Sequence, residues 1–214
     1  SYNQVVKFFP FLNVLDTHNI TEIVWGAVPR SGKSYMIGGL ISQLQAYRPI
    51  RNVVIILGAV SETVGQFYQM FKEYSDFDEF KKYNIQSTSD KYDSIKEKSE
   101  KNIILISQQQ AWYDNRTKRI PPKLEEIFKM EDTIVFFDEI HQGSSPKSQA
   151  QMSVLNNYIF NPKIIFPFIM VTATFAKPLK RYLNLGGQES QLIQWRYEDI
   201  QSMKDIDKEG VYEK

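Results

Sequence analysis

Gly26-Ala27-Val28-Pro29-Arg30-Ser31-Gly32-Lys33-Ser34 lies between an apolar run, Ile23-Val24-Trp25, and a stretch of helical character from Tyr35 to Gln45. Strand, glycine-containing turn and helix, in that order, make a phosphate-binding loop. Gly32 lets the backbone turn its N–H groups inward at phosphate oxygens. Lys33 brings an ammonium to the β and γ phosphates, and Ser34 offers a hydroxyl to a magnesium ion. The dipole of the following helix favours the same anion. The strict pattern opens on a glycine where this chain has Ala27, with Gly26 one step earlier. The expected nucleotide-binding set is Ala27, Pro29, Arg30, Ser31, Gly32, Lys33, Ser34 and Tyr35, with ATP and Mg2+ as the ligands.

Outward from this loop the chain alternates strands and helices. Lys33 to Tyr47 reads as a helix stopped by Pro49. Asn52 to Leu57 is apolar on both faces, which suits a parallel strand covered on both sides. Ser61 caps a helix through Tyr74, with Phe67, Met70, Phe71 and Tyr74 on one face. Asp76 to Lys101, charged and rich in Ser and Lys, reads as a surface excursion. A third strand covers Asn102 to Ser107, and a helix runs from Pro121-Pro122 to about Met130. A fourth strand covers Thr133 to Phe137. A helical stretch, Lys147 to Phe160, precedes a fifth strand, Phe168 to Thr172. Leu192 to Trp195 reads as a further strand, and Val5 to Leu12 as a short helix or turn on the core. The class is therefore α/β, with a mostly parallel sheet and helices on both faces, a P-loop NTPase. Ligands of such sheets lie at the carboxyl ends of the strands.

The fourth strand delivers two carboxylates, Asp138 and Glu139. The first carboxylate of such a pair holds magnesium, usually through water, beside the loop hydroxyl, so Ser34 and Asp138 form the expected metal set. Glu139 is placed to orient the attacking water or take its proton. Lys33, Asp138 and Glu139 are thus the candidate catalytic residues. His141 follows two positions later, and Thr172-Ala173-Thr174 ends the fifth strand.

Bulk composition narrows the partners. The chain has 214 residues, a net charge of +1 and no cysteine. Global charge gives no pull toward nucleic acid, so such binding has to use a local surface. A cysteine-free chain agrees with an intracellular reducing compartment, cytoplasm or nucleus. The longest apolar stretch, Ile164 to Ala176, contains Pro167 and falls short of the roughly 20 residues a membrane helix needs, so no membrane partner is expected. With only two histidines and no cysteine, a structural zinc site has no ligand set. There is no Gly-x-Ser-x-Gly for a serine hydrolase. Trp112-Tyr113 beside Arg116, Lys118 and Arg119 pairs aromatics with cations, a pattern that serves either nucleic acid or an ordinary anchored loop.

Three motifs together resemble the amino-terminal, RecA-like motor domain of a DExH-box superfamily 2 helicase. Ala27 through Gly32-Lys33-Ser34 matches the family's first motif, which opens on alanine. Asp138-Glu139-Ile140-His141 matches the second, and Thr172-Ala173-Thr174 the third. Pro29-Arg30-Ser31-Gly32-Lys33-Ser34 is similar to helicase-like proteins of large DNA viruses, for which the compartment is that of a host cell. The resemblance implies that His141, Thr172 and Thr174 couple nucleotide state to nucleic-acid binding. It also implies backbone contacts from Ser61, after the second strand, and from Ser107 and Gln108, after the third. DNA is expected in preference to RNA. Residues 1–180 form the expected motor domain and 181–214 an extension toward a second RecA-like lobe, whose motifs have no place in this chain. The expected function is an ATP-dependent helicase or translocase, weak as an isolated domain because the completing arginine lies on that lobe. Two alternatives share the loop and the Asp-Glu pair: a terminase-type DNA-packaging ATPase, and a nucleotide-gated binding module that does not turn ATP over.

Overall fold

Three runs that are apolar on both sides, Val53–Leu57, Ile103–Ile106 and Ile134–Phe137, form the middle of one sheet, and every residue in them is buried. The computed structural model describes residues 22–27, 32–46, 49–58, 61–85, 100–107, 122–129, 132–138, 168–172 and 192–195, with residues 198 and 201. In chain order the elements are β1 (Glu22–Ala27), α1 (Lys33–Leu44), β2 (Asn52–Leu57), α2 (Ser61–Glu73), a 3-10 turn (Ser75–Phe77) and β3 (Phe80–Ile85). Then follow β4 (Lys101–Ser107), α3 (Pro122–Phe128), β5 (Thr133–Asp138), β6 (Phe168–Thr172) and β7 (Leu192–Trp195). The seven strands form one sheet in the order β3-β4-β2-β5-β6-β1-β7. All six pairings are parallel. This is the α/β architecture of a RecA-like P-loop NTPase.

Alternation of side chains divides the core. On one face Val53, Ile55, Leu105, Phe136 and Val171 pack with Met36, Ile37, Leu40 and Ile41 of α1 and with Val64, Phe67 and Phe71 of α2. The opposite face carries Val54, Ile56, Ile104, Ile106, Val135 and Phe137, all buried too. Double coverage is why these strands read as continuous apolar runs. The two helices approach closely at Gly38, whose missing side chain leaves room for Met70 of α2.

At the strand entries, polar contacts set the register. Asn102 Nδ2 donates to Asn52 Oδ1 at 3.0 Å, with both residues buried. The backbone N–H groups of Arg51 and Asn52 both donate to the Asp132 carbonyl, at 2.9 and 3.1 Å. Arg51 Nε also reaches Asp132 Oδ2 at 3.0 Å.

The expected surface excursion over 76–101 is corrected in part: Phe80–Ile85 is a strand, β3, pairing with β4 at the sheet edge. Its burial does not alternate, since only Phe80 and Ile85 are buried and Lys81 and Lys82 stand between. Lys81 pairs with Glu100, and Lys82 Nζ donates to the Phe77 carbonyl at 2.5 Å. Charged residues on an edge strand block pairing with other chains. The same region holds Lys101 Nζ 2.5 Å from Glu79 Oε2, and that hydrogen bond sets the Glu79 carboxyl below the usual range.

The helices end close to expectation: α1 at Leu44 and α2 at Glu73. β7 lies in the segment after residue 180 and hydrogen-bonds β1 within the same sheet. The expected short helix or turn over 5–12, the expected helix over 147–160 and the aromatic-basic loop at 112–119 lie outside the described residues. Among the described residues no helix is long and apolar enough to cross a membrane.

Candidate nucleotide site

Parallel pairing carries distant residues to one edge. Trp25 is level with Val171, and Val171 with Asp138. Ile56 pairs with both Phe137 and Ile106, so Leu57, Asp138 and Ser107 share the next row. One step further, Gly26 is level with Thr172. The start of the phosphate loop, the first carboxylate and the third motif therefore converge at the carboxyl ends of β1, β5 and β6. In-register residues of a parallel sheet face the same side. Leu57, Val171 and Trp25 pack against the helical layer, so Asp138 and Ser107 also face α1 and α2.

α1 begins directly after the loop. Gly32 is its N-cap with φ 79° and ψ 33°, and no side chain caps the helix. That left-handed conformation favours glycine; a Cβ there would meet nothing within 4 Å, so the requirement is backbone conformation rather than space. The Gly32 carbonyl accepts from Met36 N–H at 3.0 Å. The N–H groups of Lys33, Ser34 and Tyr35 precede the first intrahelical bond, and no acid stands in the first turn to answer the helix dipole. The arrangement suits an anion supplied by a ligand.

Asp138 is 4 % exposed. The residue has other interactions, but its Oδ1 accepts no hydrogen bond. A buried carboxylate at the strand end facing α1 fits a water-coordinated cation. Among the described residues there is no cluster of three or more His, Cys, Asp or Glu. Magnesium carried in by a triphosphate needs only one or two protein ligands, so Ser34 and Asp138 form a sufficient set.

Of the other expected residues, Ala27 closes β1, Ser61 opens α2 and Thr172 closes β6. Ser107 closes β4, 8 % exposed, and its Oγ has no hydrogen-bond partner among the described residues. Pro29, Arg30, Ser31, Gln108, Glu139, His141 and Thr174 lie outside the described residues.

One feature of the site was missed by the sequence reading. A groove of about 390 Å³ runs from Ser34 and Tyr35 across α2, along Gly65, Gln66, Gln69, Met70 and Glu73. Its only sequence signal is a polar stripe at helical spacing with a glycine inside the helix.

The family model described as "Type III restriction enzyme, res subunit" matches residues 15–177. Among solved structures the chain is similar to the Sulfolobus solfataricus SWI2/SNF2 ATPase core in complex with dsDNA. Identity is 14%, the TM-score is 0.52, and the match covers 79% of this chain and 31% of that one. It is also similar to the UvsW helicase from bacteriophage T4, at 16% identity and a TM-score of 0.48, covering 86% of this chain and 59% of that one. The chain thus spans about a third of the first relative and three-fifths of the second. No curated protein sequence matches it.

Proposed function

This chain belongs to the Type III restriction enzyme res-subunit family and has the motor domain of an ATP-dependent helicase or translocase, and on that premise we propose how its parent protein works. The parent is a DExH-box, superfamily 2 type motor that couples ATP hydrolysis to movement along DNA rather than RNA. The relative from Sulfolobus was captured with dsDNA, which supports that choice. The parent acts inside the cell, in cytoplasm or nucleus, or in a host cell if it is viral like the proteins its loop resembles.

The reading is carried by one observation: Asp138 is buried on the helix side of the sheet, level with Trp25 of the strand that leads to the Gly32 turn, with β6 between them. In this reading the N–H groups after Gly32 and the Lys33 ammonium hold the phosphates, with Ala27, Pro29, Arg30 and Ser31 shaping the loop. The Ser34 hydroxyl and the Asp138 carboxylate hold the cation, Asp138 through water. Bound Mg-ATP supplies the phosphoanhydride to be cleaved. Glu139 orients the attacking water and takes its proton. His141, Thr172 and Thr174 pass the state of this edge to the nucleic-acid surface, where Ser61 and Gln108 contact the backbone; the buried Ser107 hydroxyl does not reach that surface. A second RecA-like lobe, outside this chain, completes the site, and closure of the lobes moves the strand.

The test is ATPase turnover of the parent protein with and without double-stranded DNA, beside Glu139→Gln. DNA-stimulated turnover that Glu139→Gln lowers by about 100-fold or more supports the motor. Turnover that is unstimulated and equal in Glu139→Gln overturns it in favour of a binding module.

A further inference from the structure

The phosphate loop accounts for a triphosphate but not for the nucleoside attached to it. We propose that the α1–α2 groove beside Ser34 receives the base of the nucleotide, an inference that rests on the nucleotide reading above. The phosphates and the base would then have separate receptors meeting at Ser34 and Tyr35.

The lining decides the chemistry. Among the described residues that line the groove there is no lysine or arginine. The wall offers instead an aromatic ring, a thioether, two amides and one carboxylate. Its volume lies within the roughly 300–1,000 Å³ of ligand clefts, which are mostly apolar with a few placed polar groups.

Tyr35 follows directly on Ser34 and is 58 % exposed despite its size. Its ring is held edge-on by Tyr74, with centroids 6.3 Å apart and planes at 81°. An exposed ring with a fixed tilt, one residue from the metal-binding hydroxyl, is a stacking platform for a base. Across the groove, Gln69 Nε2 donates to Glu73 Oε1 at 2.9 Å. That bond uses one of the two amide N–H groups and orients the amide, leaving Gln69 Oε1 as an acceptor for an amino or ring N–H on the base edge.

Gly65 supplies an independent argument. It sits inside α2, where glycine lowers helix stability, and a Cβ there would meet nothing within 4 Å. Packing among the described residues therefore does not require it. It lines the groove, so any larger side chain would take up space a flat ligand needs.

Calorimetric titration with two probes tests the idea: Mg-ATP, and magnesium with inorganic tripolyphosphate, which has no base. Tyr35→Ala is expected to weaken Mg-ATP about tenfold and tripolyphosphate less than twofold. Tyr35→Phe, which keeps the ring, is expected to retain Mg-ATP affinity. Gly65→Leu is expected to weaken Mg-ATP alone. Lys33→Ala is expected to weaken both probes, which reports on the phosphate site itself. If Tyr35→Ala and Gly65→Leu bind Mg-ATP as wild type does while Lys33→Ala loses both probes, the base lies elsewhere and the nucleotide reading stands. If wild type binds neither probe, both readings fall.

Discussion

On the proposed reading, Gly32 joins backbone conformation to ligand binding in one residue. Its φ of 79° turns the chain into α1 and exposes the first N–H groups of the helix. For an L-residue the left-handed region costs roughly 1–2 kcal/mol. Since a Cβ there has open space, Gly32→Ala is expected to lower stability by about 1 kcal/mol through strain alone, visible as a lower urea midpoint with an unchanged slope. Gly32→Asn, which enters that region more readily, is expected to lose less. Equal, negligible losses for both would mean the loop relaxes to another conformation. Residues of this kind were legible in the sequence because their reason is local: a Gly-Lys-Ser turn between strand and helix, and an aspartate ending an apolar run. Gly65 and Gln69 were not, because their neighbour Tyr35 comes from another helix. Nor did the sequence reveal that the Ser107 hydroxyl is buried without a partner among the described residues, since depth at a strand end depends on what packs over it.

Among the elements, the central strands were legible and β3 was not. β2 and β5 are buried at every position, so their composition alone marks them. β3 buries only its two ends, five positions apart and so on opposite faces, and the polar residues between them hide the strand. What makes it a strand is backbone pairing with β4, which leaves no mark on side-chain pattern. Register at the entries depends on the buried Asn52–Asn102 bond. Asn102→Ala removes the donor and leaves the Asn52 carbonyl oxygen buried without it, a loss of about 1–3 kcal/mol. Replacing both residues by leucine removes the polar demand together with the bond, and that pair is expected to cost less than the two single changes added. A double-mutant cycle in urea measures the difference. Simple additivity would show that the two amides do not act as a unit.

For the whole molecule, the sheet is both scaffold and receptor, so ligand binding and global stability are linked. On the proposed reading the residues that hold Mg-ATP come from the β1–α1 segment and from β5, which lie far apart in sequence and meet only when the sheet is folded. The unfolded chain has no such site, and a ligand that binds only the folded state stabilises it by about 2.7 kcal/mol at a concentration of 100 Kd. For a chain of this size each kcal/mol moves Tm by roughly 2–4 °C, so saturating Mg-ATP is expected to raise Tm by about 5–10 °C. The shift should grow with the logarithm of concentration and should be abolished by Lys33→Ala. Asp138→Asn removes the cation-binding charge, so it is expected to reduce the shift seen with magnesium and to leave the smaller shift seen in EDTA. Thermal melts across an ATP series, with and without EDTA, read all of these. A shift of the same size in Lys33→Ala would place the nucleotide away from this edge of the sheet. On the proposed reading full turnover needs a second lobe and is not required of this chain, whereas the Tm shift is. The melt therefore tests this domain's own share of the site.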